Sequence, residues 1–277
     1  MKTSSLSIAL GSDLHLSPRD EERRRRALAF PDDADVIILA GDITEGVRAA
    51  IVALDLADEY PAAHIVWVAG NHEFYYATID EQIRRFREAC ADHDRVHFLE
   101  NDSVEIAGVT FLGCTLWSDF SIMGEPHVAM TLAERMIADF VCIKAAGGFT
   151  FTPRDAAARF LESFAYLEEQ LDICDPARTV VVTHFPPGLA THNPDFPLDP
   201  IAAYFQANVS LLMDIYQPAV WVYGHNHYSS DQLLGSTRVV SNQFGYPSEH
   251  GRIPPYDPMK LILLDGGDGG TTRDYRE

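Results

Sequence analysis

Apolar residues recur along this chain in two rhythms. Short continuous runs of β type, SIALGS (7–12), VIILA (36–40) and IVWVA (65–69), alternate with stretches of helical period near 19–29, 46–59 and 78–92. The last stretch carries Ile79, Ile83 and Phe86 on one face. Runs that are apolar on both faces and separated by helices predict parallel strands covered on both sides. Two more strands are expected near 103–106 and 109–113, joined by a hairpin turn at Ala107-Gly108. The rhythm breaks from Ser118 to Thr152, which carries Phe120, Met123, Met130, Met136, Phe140 and Phe149 and is bounded by Gly147-Gly148 and Pro153. It reads as a helical insertion near 118–152, either an ordinary core element or a lid, since loops at strand ends carry specificity. A helix near 154–172 leads back to β runs, TVVV (179–182) and AVWVY (219–223), separated by a Pro-rich loop and a helix near 200–216. Strands near 231–234, 237–241 and 260–264 are expected to complete a second sheet. The expected fold class is α/β, a four-layer sandwich of two mixed β-sheets flanked by helices. One domain spans 1–265, and 266–277 (GGDGGTTRDYRE) reads as a flexible tail.

Composition narrows the function classes. At 277 residues the chain can bury one large α/β core. Its 47% hydrophobic content contains no segment of membrane-spanning length. The first β run leads straight into Asp13, leaving no room for a cleaved leader, so the reading is a non-secreted, cytoplasmic protein. Cys90, Cys114, Cys142 and Cys174 form no CxxC pair and read as reduced thiols. A net charge of −20 argues against nucleic-acid backbone and anionic membrane as partners, because both are held by Lys and Arg. The one basic run, Arg23 to Arg26, follows Asp20, Glu21 and Glu22 and reads as a solvated helix with internal ion pairs.

The candidate chemistry sits where the β runs stop. The five runs named above are followed by Asp13-Leu14-His15, Gly41-Asp42, Gly70-Asn71-His72-Glu73, Thr183-His184 and Gly224-His225-Asn226-His227. In open α/β sheets ligands bind beyond the carboxyl ends of strands, so five such ends point to one shared site. Asp13 and His15, and likewise His225 and His227, are two residues apart, which on an extended strand puts each pair on one face. Asp13, His15, Asp42, Asn71, His184, His225 and His227 are together too many ligands for one tetrahedral ion and suit two. Their oxygen and imidazole donors, without thiolate, suit Mn, Fe, Zn, Co or Ni.

The ordered set DLH, GD, GNHE, TH and GHNH resembles the calcineurin-like metallophosphoesterases, and the match spans 13–227. Within that family VWVAGNHE, VEIAGVTFLG and VVVTHFPPG look most similar to small phosphodiesterase-like members. The resemblance implies that Asp13, His15 and His227 hold one divalent ion, Asn71, His184 and His225 a second, and that Asp42 bridges them. It implies hydrolysis of phosphate esters, above all a small-molecule phosphodiester, by a hydroxide bridging the two ions. His72, not itself a ligand in this pattern, would contact phosphate and protonate the leaving oxygen. Glu73 either orients a ligand or caps the following helix. His127, His192 and His250 are candidates to reach substrate, while His64, His93 and His97 read as surface residues. Asn242 is expected near the site, and Phe244 stands where related sequences often carry Arg. Glu45, three after Asp42, is not Tyr, so no tyrosinate–iron colour is expected. The alternatives are a phosphomonoesterase, a nuclease, a protein serine/threonine phosphatase, or a non-catalytic metal-bound scaffold. The acidic surface disfavours the nuclease, and the intact ligand set disfavours the scaffold.

Overall fold

The continuous apolar runs become strands buried on both faces, which is what runs such as VIILA require. The structure, a computed structural model, describes residues 5–249 and 254–264. His250 and the 266–277 tail lie outside the described residues. Among the described residues there are eleven strands: β1 (Leu6–Gly11), β2 (Val36–Ala40), β3 (His64–Val68), β4 (Val96–Phe98), β5 (Asp102–Ile106), β6 (Val109–Cys114), β7 (Thr179–Thr183), β8 (Val220–Val222), β9 (Ser230–Leu234), β10 (Thr237–Ser241) and β11 (Leu261–Leu264). The helices are α1 (Glu21–Ala27), α2 (Arg48–Glu59), α3 (Ile79–Cys90), α4 (Pro126–Met136), α5 (Asp139–Cys142), α6 (Pro153–Ile173) and α7 (Ser210–Tyr216).

The strands form two mixed sheets, ordered β11-β1-β2-β3-β4 and β5-β6-β7-β8-β10-β9. Within them β1 to β4 run parallel, as do β6, β7, β8 and β10, while β11, β5 and β9 join antiparallel. One core lies between the sheets, where Ile8, Ile38 and Val66 meet Phe111, Val180 and Val222. The other faces pack on helices, Ile37 and Trp67 with Leu56 of α2 and Phe86 of α3, and Val181 and Trp221 with Leu167 of α6 and Leu212 of α7. The result is the expected sandwich of helix, sheet, sheet and helix.

Local chemistry sets the element ends. Thr152 and Asp155 form a reciprocal capping box at α6, with Pro153 at its first turn. Ala107 and Gly108 have φ of 51° and 75°, the left-handed pair of a tight hairpin turn between β5 and β6.

Several expectations are corrected. The strand β4 was not anticipated. The last strand, β11, joins the first sheet beside β1 rather than the second. The helix expected over 200–216 is a 3₁₀ turn at Pro200–Phe205 followed by the short α7. Ser118 Oγ lies 2.6 and 2.9 Å from the carbonyls of Ala203 and Gln206, engaging groups that a continuous helix would use internally. Arg23 is buried rather than solvated: its Nε and Nη2 donate to the Leu14 carbonyl at 2.9 and 2.6 Å, and Nη2 also donates to Gly245 O. The 118–152 insertion is helical, and α4 packs against the Pro200–Phe205 turn. All four cysteines are free thiols.

Candidate metal centre

The seven ligand candidates do converge, but by a different local route from strand alternation. The first strand stops at Gly11 and β8 at Val222, so Asp13, His15, His225 and His227 lie in the turns beyond. Asp13, His15, Asp42, His225 and His227 have φ of 53°, 43°, 52°, 75° and 53°, a region L-residues visit rarely and mostly at sites where the surroundings enforce it. Two glycines make room: a Cβ on Gly41 would collide with His184 Nδ1, and one on Gly70 with Asp42 Oδ1.

Two groups of atoms share Asp42. In one, His15 Nε2 lies 3.0 Å from His227 Nε2, and His227 Nε2 is 3.5 Å from Asp13 Oδ1. In the other, His184 Nε2 lies 3.1 Å from Asn71 Oδ1 and 3.2 Å from His225 Nδ1. The Asp42 carboxylate reaches both, with Oδ1 3.5 Å from His184 Nε2 and Oδ2 3.8 Å from His15 Nε2. Asp13 and Asp42 are almost fully buried.

The protons show that this cluster fits cations. His184 Nδ1 donates to the Ala40 carbonyl at 2.8 Å, so the neutral ring turns a lone pair from Nε2 into the site. Asn71 Nδ2 donates to Asp139 at 2.9 Å, which turns Oδ1 inward. Two acceptors therefore face each other at 3.1 Å with no proton to share, and a cation removes that repulsion. At the other group, His227 Nδ1 lies 2.6 Å from Glu249 Oε2. Burial alone would lower His227, but hydrogen bonds to Asp13 and Glu249 raise it to about 9. A proton thus stands where a metal could bind. Burial would raise Asp13, but His227, His184 and His15 hold it well below the usual carboxylate range. Asp42 is pushed well up by burial and by Glu73 and Asp13.

The loops are tied from behind. Glu73, fully buried, accepts backbone N–H groups from Asp42, Ile43, Thr44 and Gly70 at 2.9, 2.7, 3.1 and 2.7 Å. It holds the Gly41-Asp42 loop against the Gly70-Asn71 loop and caps no helix. Burial pushes its carboxyl up to about 7 against these donors. All of its lone-pair positions face an N–H, so the ionised form is the one the loops accommodate.

His72 stands at the mouth, its Nε2 3.3 Å from Tyr246 Oη and 3.8 Å from Asp42 Oδ2. Burial first, then the His184 charge, lower it to about 4, so the ring is neutral at pH 7. Tyr246 stacks on His15 with ring centroids 4.3 Å apart. Asp139 of α5 also accepts from Tyr75 Oη at 2.9 Å and from Tyr204 Oη. Glu249, Tyr246, Asp139 and Arg23 escaped the sequence reading. The string SNQFGYPSEH was the one hint of the first two.

The other candidates separate. His192 lines a cavity of about 300 Å³ beside the cluster, with Ile137 from the insertion as another wall. His127 is exposed on α4, outside the residues that wall this cavity. His64 and His97 stack on each other at 5.3 Å at the edge of the first sheet, and His93 accepts from Arg95 N nearby. Asn242 braces the end of β1, donating to Leu10 O at 2.8 Å, and Arg23 lies over the Phe244 ring at 4.6 Å.

Comparison with known proteins agrees with the site. Residues 6–229 match the family model described as calcineurin-like phosphoesterase. The chain is 28% identical over 287 residues to the acyl-carrier-protein phosphodiesterase PptH of Mycobacterium tuberculosis, covering 92% of this chain and 82% of that protein. It is 27% identical over 280 residues to protein L509 of Acanthamoeba polyphaga mimivirus, covering 92% of this chain and 97% of the viral one. In fold it resembles the crystal structure of the phosphopantetheinyl hydrolase PptH, with a TM-score of 0.75 at 22% identity, over 97% of this chain and all of that one. The Thermus thermophilus protein TT1561 gives 0.53 at 16% identity over 95% of each chain.

Proposed function

The chain belongs to the calcineurin-like phosphoesterases, and from that premise we propose that it hydrolyses a small-molecule phosphodiester with two divalent ions. Asp13, His15 and His227 hold one ion, Asn71, His184 and His225 the other, and Asp42 lies between them. The observation that carries this reading is the pair of acceptor clusters joined through the two oxygens of Asp42. The name of the M. tuberculosis relative, a phosphodiesterase, supports a diester over a monoester. Four free thiols suit a reducing compartment such as the cytoplasm. Among the described residues no helix is long and apolar enough to cross a membrane.

The bound ions supply Lewis acidity to the phosphoryl oxygens and an activated water for in-line displacement. The protein fixes their ligands before substrate arrives, through Glu73 behind Asp42, Glu249 behind His227 and Asp139 behind Asn71. Neutral His72 with its proton on Nε2 donates to the leaving oxygen and releases that proton as charge develops there. Tyr246 Oη, 3.3 Å from the same nitrogen, orients the ring.

The test is to strip the protein with a chelator and reconstitute it with Mn, Fe, Zn, Co or Ni. Each form is then assayed on bis(p-nitrophenyl) phosphate and p-nitrophenyl phosphate. The reading expects chelation to abolish turnover, metal to restore it, and the diester to be the better substrate. Turnover that survives chelation, or a preference for the monoester, contradicts it.

A further inference from the structure

The cavity beside the metal cluster is walled mainly by apolar groups, among them Ile137, Phe196, Ile201 and Phe205, and none of its described lining residues is Lys or Arg. It is continuous with the reaction centre, since Phe205 stacks on His225 at 5.5 Å. Two polar atoms on its lining residues have no hydrogen-bond partner within the described protein. One is Gln206 Oε1, on a fully buried side chain, and the other is His225 Nε2.

The neighbouring bonds fix the orientation of both. His192 Nε2 lies 2.9 Å from the Phe196 carbonyl, an acceptor, so the neutral ring carries its proton there. His192 Nδ1 is then an acceptor, and the Gln206 amide must turn its NH₂ toward it, at 3.2 Å. Oε1 therefore points away as an acceptor awaiting a donor. At His225 the nitrogen facing Asn71 and His184 is Nδ1. If Nδ1 gives its lone pair to the ion, as in the function proposed above on which this inference rests, the proton sits on Nε2 and makes it a donor. One unpartnered acceptor and one unpartnered donor thus line the same apolar cavity.

We propose that this cavity binds the alcohol portion of the phosphodiester, and that this portion is an uncharged chain carrying a secondary amide. The amide N–H satisfies Gln206 Oε1 and its carbonyl accepts from His225 Nε2–H. The apolar walls take the flanking methylenes. A second phosphate or carboxylate on that arm finds no cation among the described residues of this cavity.

The experiment uses three methyl phosphodiesters: an acetamidopropyl ester, its ketone isostere in which CH₂ replaces N–H, and the plain alkyl ester of equal length. Rates are followed by phosphorus NMR on metal-loaded protein. The expected kcat/KM falls roughly tenfold or more from amide to ketone, and again from ketone to alkyl, because a buried polar group left unpaired discriminates against the analogue that leaves it so. Gln206→Leu should erase the amide–ketone difference. Phe196→Ala, at a half-exposed wall position, should weaken all three esters alike. Equal rates for amide and ketone in the wild-type protein, or an alkyl ester that is best, overturn the inference.

Phosphonates carrying the same three side chains, with CH₂ in place of the ester oxygen, are ranked by calorimetry to separate this inference from the function it rests on. The same ranking in binding without any turnover supports the amide subsite and contradicts the hydrolytic reading. Turnover without ranking contradicts the subsite alone.

Discussion

Glu73→Gln removes one charge and no volume, yet it should be among the most damaging substitutions in the chain. In the wild-type protein Glu73 Oε2 accepts from Asp42 N and Gly70 N, and Oε1 from Ile43 N and Thr44 N. The side chain is fully buried, so water cannot substitute. Gln offers one oxygen and one NH₂, and whichever way it turns, two backbone N–H groups meet another donor. A buried donor left without its acceptor costs about 1–3 kcal/mol, so two cost roughly 2–6 kcal/mol. That is a large part of the roughly 5–15 kcal/mol that stabilises a domain, and it corresponds to a fall in melting temperature of roughly 5–20 °C. The assay is thermal unfolding by circular dichroism in the presence of chelator, so that lost folding energy is read apart from lost metal binding. Glu88→Gln is the control, since Glu88 pairs with Arg84 at the surface and should shift little. An E73Q protein that melts within about a degree of the wild type and keeps its metal would refute the argument that this carboxylate ties the two loops.

Three further outcomes are expected. His72→Ala should retain its metal but lose roughly 10²–10⁴-fold in rate, most on alkyl esters and least on p-nitrophenyl esters; equal losses on both would reject proton donation by His72. Asp139→Ala frees Asn71 Nδ2 from its 2.9 Å bond and should weaken metal binding roughly 10–100-fold by calorimetry, whereas unchanged affinity would show that Asp139 does not position Asn71. His97 is lowered from 6.5 to about 4 by burial and then by the His64 charge. A lowered pKa means that the unfolded chain binds the proton first, so stability is full above about 6.5 and is lost as pH falls toward 4. Discounted for its half-exposed ring, this amounts to about 1–2 kcal/mol, and His97→Leu should flatten the urea-unfolding profile between those pH values; an unchanged slope rejects the assignment.

The parts of the site legible in the sequence are those written into contiguous strings. Each ligand candidate follows a strand whose continuous burial is visible as an unbroken apolar run, and most blocks announce themselves by a close glycine. The turn geometry was not legible, because a dipeptide such as Gly41-Asp42 does not state that Asp42 takes a left-handed φ of 52°. The supporting groups were equally hidden. Asp139 meets Asn71 across 68 positions, and Arg23 reaches Gly245 across 222. Such contacts are products of tertiary packing and leave no local period. The strand β11 shows why sheet membership was misread: its alternating burial marks an edge strand, but only its register, Leu6 opposite Leu264, assigns it to the first sheet.

The central claim is that two ions share Asp42. The direct measurement is metal content per chain, with anomalous scattering to place the metals, for the wild-type, Asp13→Asn and Asp42→Asn proteins. The account predicts two ions per wild-type chain, one among Asp13, His15 and His227 and the other among Asn71, His184 and His225, both touching Asp42. It predicts that Asp42→Asn falls toward one ion or none and loses more activity than Asp13→Asn, because one carboxylate serves both ions. An Asp42→Asn protein that keeps two tightly bound ions and full turnover would contradict it.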